Sequence, residues 1–264
     1  MIKYQSGHPI IIGLAGKAGS GKTSVAEYLV PKGCIQTTTG NIKWDHIFYA
    51  LPLYEMASIK KNIKGEKEQS RKLFALHEVI YDIYGNSSLG NIPDYDKFIQ
   101  LVHDINNLPI ETEGVKPRTF LQKAGDMCRS FDVNCFTSWA INRAKKIYRN
   151  TTMNSENLID VINDNVVAIL ISDVRYLIEA NSILQQPNGF VVYFDATQET
   201  LNKRLIKRDG KLMAEDEMIH SSERQVEQIK DVASAIMDTN NLDLDQQILQ
   251  TVQIINKIKE GTNA

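Results

Sequence analysis

Three short runs in the chain are apolar at nearly every position: Pro9-Ile10-Ile11-Ile12-Gly13-Leu14-Ala15, Val166-Val167-Ala168-Ile169-Leu170-Ile171 and Gly189-Phe190-Val191-Val192-Tyr193-Phe194. Strands that alternate apolar and polar have one wet face; runs without alternation read as strands covered on both faces, as in a parallel sheet. His46-Ile47-Phe48-Tyr49-Ala50 is a further strand candidate, and Ala235-Ile236-Met237 a short edge. Between these runs the apolar period lengthens to that of a helix. Val25, Ala26, Leu29 and Val30 recur at helical spacing, with Pro31 and Gly33 ending the pattern, and similar patterns cover Arg175 to Gln186, Thr197 to Arg208 and Asp243 to Lys259. Strands alternating with helices predict a three-layer α/β fold around a parallel sheet.

From about Pro52 to Asn150 the strand signal disappears and helical patterns dominate. Glu66 to Tyr84, for instance, carries Leu73, Phe74, Leu76, Val79, Ile80 and Ile83 at helical spacing. Gly85 to Gly90 and Glu111 to Pro117 read as loops within this block, and the polar stretch Asn150 to Asp160 leads back to the sheet. We expect one folding unit over residues 1–264, with a helical insertion at about 52–158 beside the carboxyl ends of the strands. The helices over 66–107 would serve as a dimer surface or as a larger cover for a ligand.

Composition narrows the classes of function. At 264 residues, 42% hydrophobic and 23% charged, the chain has ample material for a core. A net charge of −2 argues against a dedicated nucleic-acid binder. Three cysteines, Cys34, Cys128 and Cys135, lack the density of a disulfide framework and the spacing of a zinc site. No run is long enough to span a membrane, and the amino terminus lacks the apolar core of a signal peptide. The expectation is a cytoplasmic protein acting on small molecules, with no nucleic-acid or membrane partner.

Gly16-Lys17-Ala18-Gly19-Ser20-Gly21-Lys22-Thr23 fits G-x-x-x-x-G-K-[ST], the Walker A phosphate loop, and lies between the first apolar run and the first helical pattern. Strand, glycine loop and helix in that order are what the motif requires. Glycines let successive N–H groups turn toward an anion, and the new helix aims its positive end at the same place. Gly16, Ala18, Gly19, Ser20, Gly21, Lys22, Thr23 and Ser24 are therefore expected to bind ATP. Lys22 would reach the outer phosphates, and the Thr23 hydroxyl would hold Mg2+.

Three further clusters carry candidate chemistry. Arg118, Gln122, Gly125 and Arg129 fall at i, i+4, i+7 and i+11, a stripe opposite the apolar Phe120, Leu121, Ala124, Met127 and Cys128. Such a stripe suits an anionic ligand gripped by planar guanidinium forks, or else is a solvated face with ion pairs such as Asp126 with Arg129. Asp173, at the carboxyl end of the second long apolar run, either meets the metal or caps the next helix. Arg175 either faces a ligand or pairs with Glu179. Lys203, Arg204, Lys207 and Arg208 form two like-charged i, i+4 pairs; Arg204 and Arg208 either close over a triphosphate or belong to a solvated face. A polar lid at about 203–224 would include them, and His220 within it reads as structural.

Several of these segments together resemble the phage-type deoxynucleoside monophosphate kinases. Arg118-Thr119-Phe120-Leu121-Gln122-Lys123-Ala124-Gly125, then Arg129 and Trp139, is similar to that family's R-x-L-L-Q-x-x-G … R … W pattern. Phe48-Tyr49-Ala50-Leu51-Pro52-Leu53 resembles its F-A-x-P-L segment, and Asp173-Val174-Arg175-Tyr176-Leu177-Ile178-Glu179-Ala180 its D-V-R-F-x-x-E-A segment, with Tyr176 where phenylalanine is usual. The resemblance implies a P-loop fold with a helical monophosphate-binding insertion and a short lid. It implies transfer of the γ-phosphate of ATP to a deoxynucleoside monophosphate with Mg2+. Arg118, Gln122, Arg129 and Arg175 would hold the acceptor, and Lys22, Asp173, Arg204 and Arg208 would serve the transfer. The alternatives are a kinase of another phosphorylated acceptor, such as dephospho-coenzyme A, and a nucleotide-dependent ATPase or switch. No N-K-x-D segment favours a GTPase, and Asp173-Val174-Arg175-Tyr176 fails D-x-x-G at its last position.

Overall fold

The structure is a computed structural model that describes residues 5–30, 37–39, 42–63, 65, 68–85, 92, 94–111, 117–153, 166–210 and 221–259. Several expected loops therefore lie outside the described residues: 86–90, 112–116, the polar return at 154–160, and the middle of the lid at 211–220 with His220. The chain divides into two compact units, residues 1–48 with 144–264, and residues 49–143.

The first unit is built on a six-stranded sheet. Its strands are β1 (Ile10–Ala15), β2 (Thr37–Thr39), β3 (Ile42–Ile47), β4 (Val166–Val174), β5 (Gly189–Asp195) and β6 (Ala235–Asp238), in the spatial order β2-β3-β4-β1-β5-β6. Five of them run parallel, and β2 alone pairs antiparallel, on the outer side of β3. Three threonines in β2 give no apolar signal, so this edge was not visible in the pattern. β3 begins earlier than the apolar run suggested. Ile42, Trp44 and Ile47 are its buried apolar positions, with Asp45 buried as well, while Phe48 to Ala50 turn into α2 (Leu51–Asn62), which has Pro52 in its first turn.

Both faces of the sheet are covered. Ile10, Ile12, Leu14, Trp44, Leu170 and Phe194 form one buried layer with Val25, Ala26 and Leu29 of α1 (Lys22–Leu29) and Ile255 of the last helix (Leu244–Lys259). On the opposite face, a Cβ on Gly13 would come 2.7 Å from Ile183 Cδ1 and 3.4 Å from Val191 Cγ2. The absent side chain is thus what lets the helix Leu177–Leu184 settle against β1. Beside it, Val226 and Ile229 bury the helix Ser221–Val232 against the same side. The result is a three-layer α/β unit whose strands are buried on both faces, which is why they carry uninterrupted apolar runs.

Topology singles out one place on this sheet. From β1 the chain runs through α1 toward β3, on one side; from β5 it runs through the helices Gln198–Asp209 and Ser221–Val232 to β6, on the other. Connections that diverge from neighbouring strands leave a crevice at their carboxyl ends. Here that crevice lies past Ala15 and Asp195.

In the second unit, α2 (Leu51–Asn62), α3 (Gln69–Gly85), α4 (Tyr95–Asn107) and α5 (Arg118–Phe131) surround Met56, Leu76, Ile80, Phe98, Ile105 and Phe120, all fully buried. α6 (Cys135–Met153) begins here and runs on into the first unit. Tyr84 donates its hydroxyl proton to the Cys128 carbonyl at 2.8 Å, tying α3 to α5. Lys60 of α2 donates to the carbonyls of Ile105 (3.3 Å) and Asn106, orphan acceptors in the last turn of α4. Burial lowers its ammonium to about 8.

Among the described residues the remaining helices of the first unit are α7 (Leu177–Leu184), α8 (Gln198–Asp209), α9 (Ser221–Val232) and α10 (Leu244–Lys259). The Thr197 hydroxyl caps α8 by accepting from Thr200 N. Asp243 and Gln246 cap α10 reciprocally, each side chain accepting the other's backbone N–H.

Candidate functional site

The loop between β1 and α1 owes its path to glycine at three positions. Gly16, Gly19 and Gly21 have φ of 141°, 84° and 102°, values that residues with a Cβ seldom adopt. Space reinforces conformation. A Cβ on Gly16 would lie 2.6 Å from the Phe194 carbonyl oxygen, and one on Gly19 would lie 3.1 Å from the Leu201 carbonyl oxygen. A Cβ on Gly21 would meet Gln247 Oε1 at 2.3 Å. The loop is therefore pressed against β5, α8 and α10 along its length. No side chain caps the N-terminus of α1, and its first turn has no acidic residue. Lys22 is only 5% exposed, and its Nζ donates to the Lys17 carbonyl at 3.1 Å, folded back over the loop. Thr23 and Ser24 are exposed, whereas the buried Ser20 Oγ finds no hydrogen-bond partner among the described residues.

Arg204 holds this loop from α8. Its Nη1 donates to the Ser20 carbonyl at 3.3 Å and to Thr239 Oγ1 at 3.1 Å, and its Nη2 donates to the Thr239 carbonyl at 2.5 Å. Thr239, fully buried just past β6, in turn shares its one hydroxyl proton between the carbonyls of Asp195 (2.9 Å) and Ser20 (3.3 Å). The like-charged row on α8 thus splits by environment. Arg204 turns inward onto backbone carbonyls, Lys203 pairs with Glu199 at 2.6 Å on the surface, and Lys207 and Arg208 are exposed in the last turn. Thr239 carried no sequence signal, because its role depends on where β6 ends.

At the carboxyl end of β4 the pairing is irregular. Gly13 lies opposite Ile171 but Ala15 opposite Val174, so Ser172 and Asp173 together face the single residue Leu14. Such a bulge re-aims side chains and is frequent beside active sites. It returns Val174 to the face of Gly13, where its Cγ2 lies 3.0 Å from the place of a Gly13 Cβ. Ser172 Oγ meets His46 Nε2 at 2.6 Å. His46 sits close enough to Asp173 and to Glu27 of α1 that both carboxylates favour its charged form; burial outweighs them and lowers the imidazole below its ordinary 6.5. The pattern placed His46 in a strand and assigned it no chemistry, since a bulge in a neighbouring strand leaves no trace in the sequence. Arg175 follows directly. Its backbone N–H, with that of Tyr176, donates to the buried Glu179 carboxylate at 2.8 and 3.1 Å, so Glu179 anchors the start of α7.

The second unit holds the α5 stripe. Arg118 and Gln122 are half-buried, and Gly125 is buried. A Cβ on Gly125 would lie 3.0 Å from Arg129 Nη1 and 3.3 Å from Leu53 Cδ1, so glycine lets the Arg129 side chain lie across the helix. The Arg129 guanidinium stacks 5.0 Å from the Phe136 ring centroid, with Asp126 at 3.8 Å. Next to it, Trp139 Nε1 donates to Asp82 at 2.8 Å, and Arg143 lies 5.5 Å over the Trp139 ring. Burial and the Asp82 charge raise the Glu55 carboxyl, while Arg143 opposes them. Glu55, Asp82 and Arg143 come together only through the packing of three helices, and spacing along the chain gave no hint of them.

The described residues therefore bring Gly16 to Ser24, Asp173 and Arg204 to the carboxyl edge of one sheet. Arg118, Gln122 and Arg129 share one face of α5. Among the described residues there is no cluster of three or more His, Cys, Asp or Glu side chains suited to a metal ion. No helix among them is long and apolar enough to cross a membrane. No family model and no curated protein matches the chain. A solved structure of TT1252 from Thermus thermophilus is similar to it at 14% identity and a TM-score of 0.40, covering 94% of this chain and 98% of that one.

Proposed function

We propose that this chain is a P-loop kinase that transfers the γ-phosphoryl group of Mg-ATP to a deoxynucleoside monophosphate, releasing ADP and the deoxynucleoside diphosphate. The observation that carries the proposal is the loop after β1: three glycines in left-handed conformations, wedged against backbone and side chains, lead into an uncapped helix at the crevice of a parallel sheet. That arrangement presents backbone N–H groups and a helix's positive end to a phosphate chain.

In this reading Gly16, Ala18, Gly19, Ser20 and Gly21 wrap the donor phosphates, and Lys22 exchanges the Lys17 carbonyl for the transferred group. Ser20 Oγ gains a partner that it lacks among the described residues. Arg204 keeps the loop in position through the Ser20 carbonyl, and Arg208 stays at the surface of α8. The Thr23 hydroxyl and the Asp173 carboxylate would hold the donor's magnesium ion, which prefers oxygen and needs no dedicated cage, and the ion would neutralise phosphate charge. On the second unit, Arg118, Gln122 and Arg129 grip the acceptor phosphate; for Arg175, on the first unit, an acceptor role is what the family resemblance implies. The assignment of these four rests on the family resemblance together with the half-buried placement of the α5 stripe.

The chemistry needs no side-chain nucleophile. An oxygen of the acceptor phosphate forms the new bond to the γ-phosphorus as the bond to the β,γ-bridging oxygen breaks, and ADP leaves with that electron pair. The protein contributes positioning and charge neutralisation.

A ligand-melting screen separates this reading from its neighbours. Mg-ATP and at least one deoxynucleoside monophosphate, each at about 100 times its dissociation constant, stabilise by about 2.7 kcal/mol and so raise the melting temperature by roughly 5 °C or more. A shift with dephospho-coenzyme A and none with any monophosphate would replace the acceptor. No shift with any triphosphate would overturn the proposal.

A further inference from the structure

The phosphate loop contains two lysines, and the motif accounts for only one. Lys17 stands between Gly16 and Gly19, on the same backbone arc as the motif residues. Its carbonyl receives Lys22, but its ammonium points elsewhere: Nζ lies 2.5 Å from the carboxylate of Glu227 on α9. Three residues further along α9, Lys230 pairs with Asp195 at 2.6 Å, at the end of β5. Both pairs border a cleft of about 260 Å3, lined also by Phe194 and Leu201, in the crevice between β1 and β5.

We infer that Lys17 is a second donor-phosphate residue of this loop and that Glu227 is its latch, a carboxylate that holds the ammonium until a phosphate chain takes its place. The inference rests on the phosphate-loop reading above. Three observations support an exchangeable pair. Its side chains are 35% and 62% exposed, and a surface ion pair contributes little because solvent already screens it. A triphosphate carries several charges where Glu227 carries one, so the exchange favours the ligand. Lys230 and Asp195 keep α9 seated on β5 when Glu227 lets go, so release requires a side-chain rotation and no unfolding of the helix. The consequence is a tax on nucleotide affinity: every donor that binds must first displace Glu227.

The test is titration calorimetry of the full chain with Mg-AMPPNP, in four forms: wild type, Glu227→Gln, Lys17→Gln and the double variant. Glu227→Gln is expected to tighten binding about three- to fivefold, the range set by one surface ion pair. Lys17→Gln is expected to weaken it by a similar factor, with Lys17→Arg restoring it. In the Lys17→Gln background, Glu227→Gln is expected to change nothing. Unchanged affinity in Glu227→Gln overturns the latch while leaving the phosphate-loop reading intact. So does equal tightening with and without Lys17, because that would be a long-range effect of removing a negative charge. A wild type that binds no nucleotide overturns both.

Discussion

The loop after β1 and the polar stripe on α5 are both short segments read as phosphate sites, but they are specified by different means. The loop is written in the backbone. Gly16, Gly19 and Gly21 occupy conformations and spaces that exclude other residues, and the neighbours that exclude them are the Phe194 and Leu201 carbonyls and Gln247. The α5 stripe is written in side chains on an ordinary helix. Only Gly125 there is spatially constrained, and the atom nearest its missing Cβ is the movable end of Arg129. A backbone-encoded site announces itself through residues that have no other reason to be there. A side-chain site shares its residues with every solvated helix face, and function has to be argued from charge and burial.

Single substitutions can break this contrast. Lys22→Ala removes the ammonium closest to the proposed chemistry and should cut turnover by about 10^2- to 10^3-fold. Its melting temperature should fall by no more than about 10 °C, because the charge-assisted hydrogen bond to the Lys17 carbonyl is worth about 1.5–3 kcal/mol. A large loss of stability would make Lys22 a structural residue. Gly16→Ala should act on the fold as well as the site. A strained φ and a 2.6 Å approach to a backbone oxygen together cost about 3 kcal/mol, read as a melting temperature lower by roughly 6 °C or more with donor binding lost. A fully stable Gly16→Ala protein would show that the loop is not wedged as described.

The α5 stripe should respond differently. Arg118→Ala is expected to raise the acceptor KM by about 10- to 100-fold, the worth of a hydrogen bond to a charged group, with the donor KM and the melting temperature nearly unchanged. Arg118→Lys should not recover it, since lysine lacks the planar fork. An unaltered acceptor KM would return the stripe to the solvated-face alternative. The smallest effect concerns His46. Burial lowers its folded-state value, so below about 6.5 the unfolded chain takes up a proton that the folded protein resists. The stability gained from a neutral His46 is complete above that pH and declines as pH falls through the window beneath it. Denaturation curves between pH 7.5 and 5 should therefore be flatter for His46→Gln than for wild type; identical slopes would remove His46 from the account.

Much of the sheet was legible because β1, β4 and β5 are buried on both faces and carry apolar runs that no helix would need. The edges were not. β2 consists of three threonines, and β3 depends on Ile42, Trp44 and Ile47 rather than on the apolar run that continues into α2. Within the site, the glycine loop could be read directly, while the partners of each charged side chain could not. Arg204 looked like one of a row of four basic residues, and only the position of Thr239 past β6 turns it inward. The bulge that sets Ser172 and Asp173 opposite Leu14 arises from pairing with β1, so His46 gained its partner from a register that sequence does not record. Lys60 was hidden for the same reason: its acceptors belong to the end of α4, 45 residues away.

In the proposed reaction, phosphate leaves ATP for a monophosphate acceptor. The most direct test is the rate of ADP formation from Mg-ATP by the purified protein, with each deoxynucleoside and ribonucleoside monophosphate supplied singly beside a sample without acceptor. The account predicts rapid ADP formation with one or more monophosphates, appearance of the matching diphosphate in equal amount, and almost no ADP without them. ADP formed at the same rate whether or not an acceptor is present would contradict it and make the protein an ATPase.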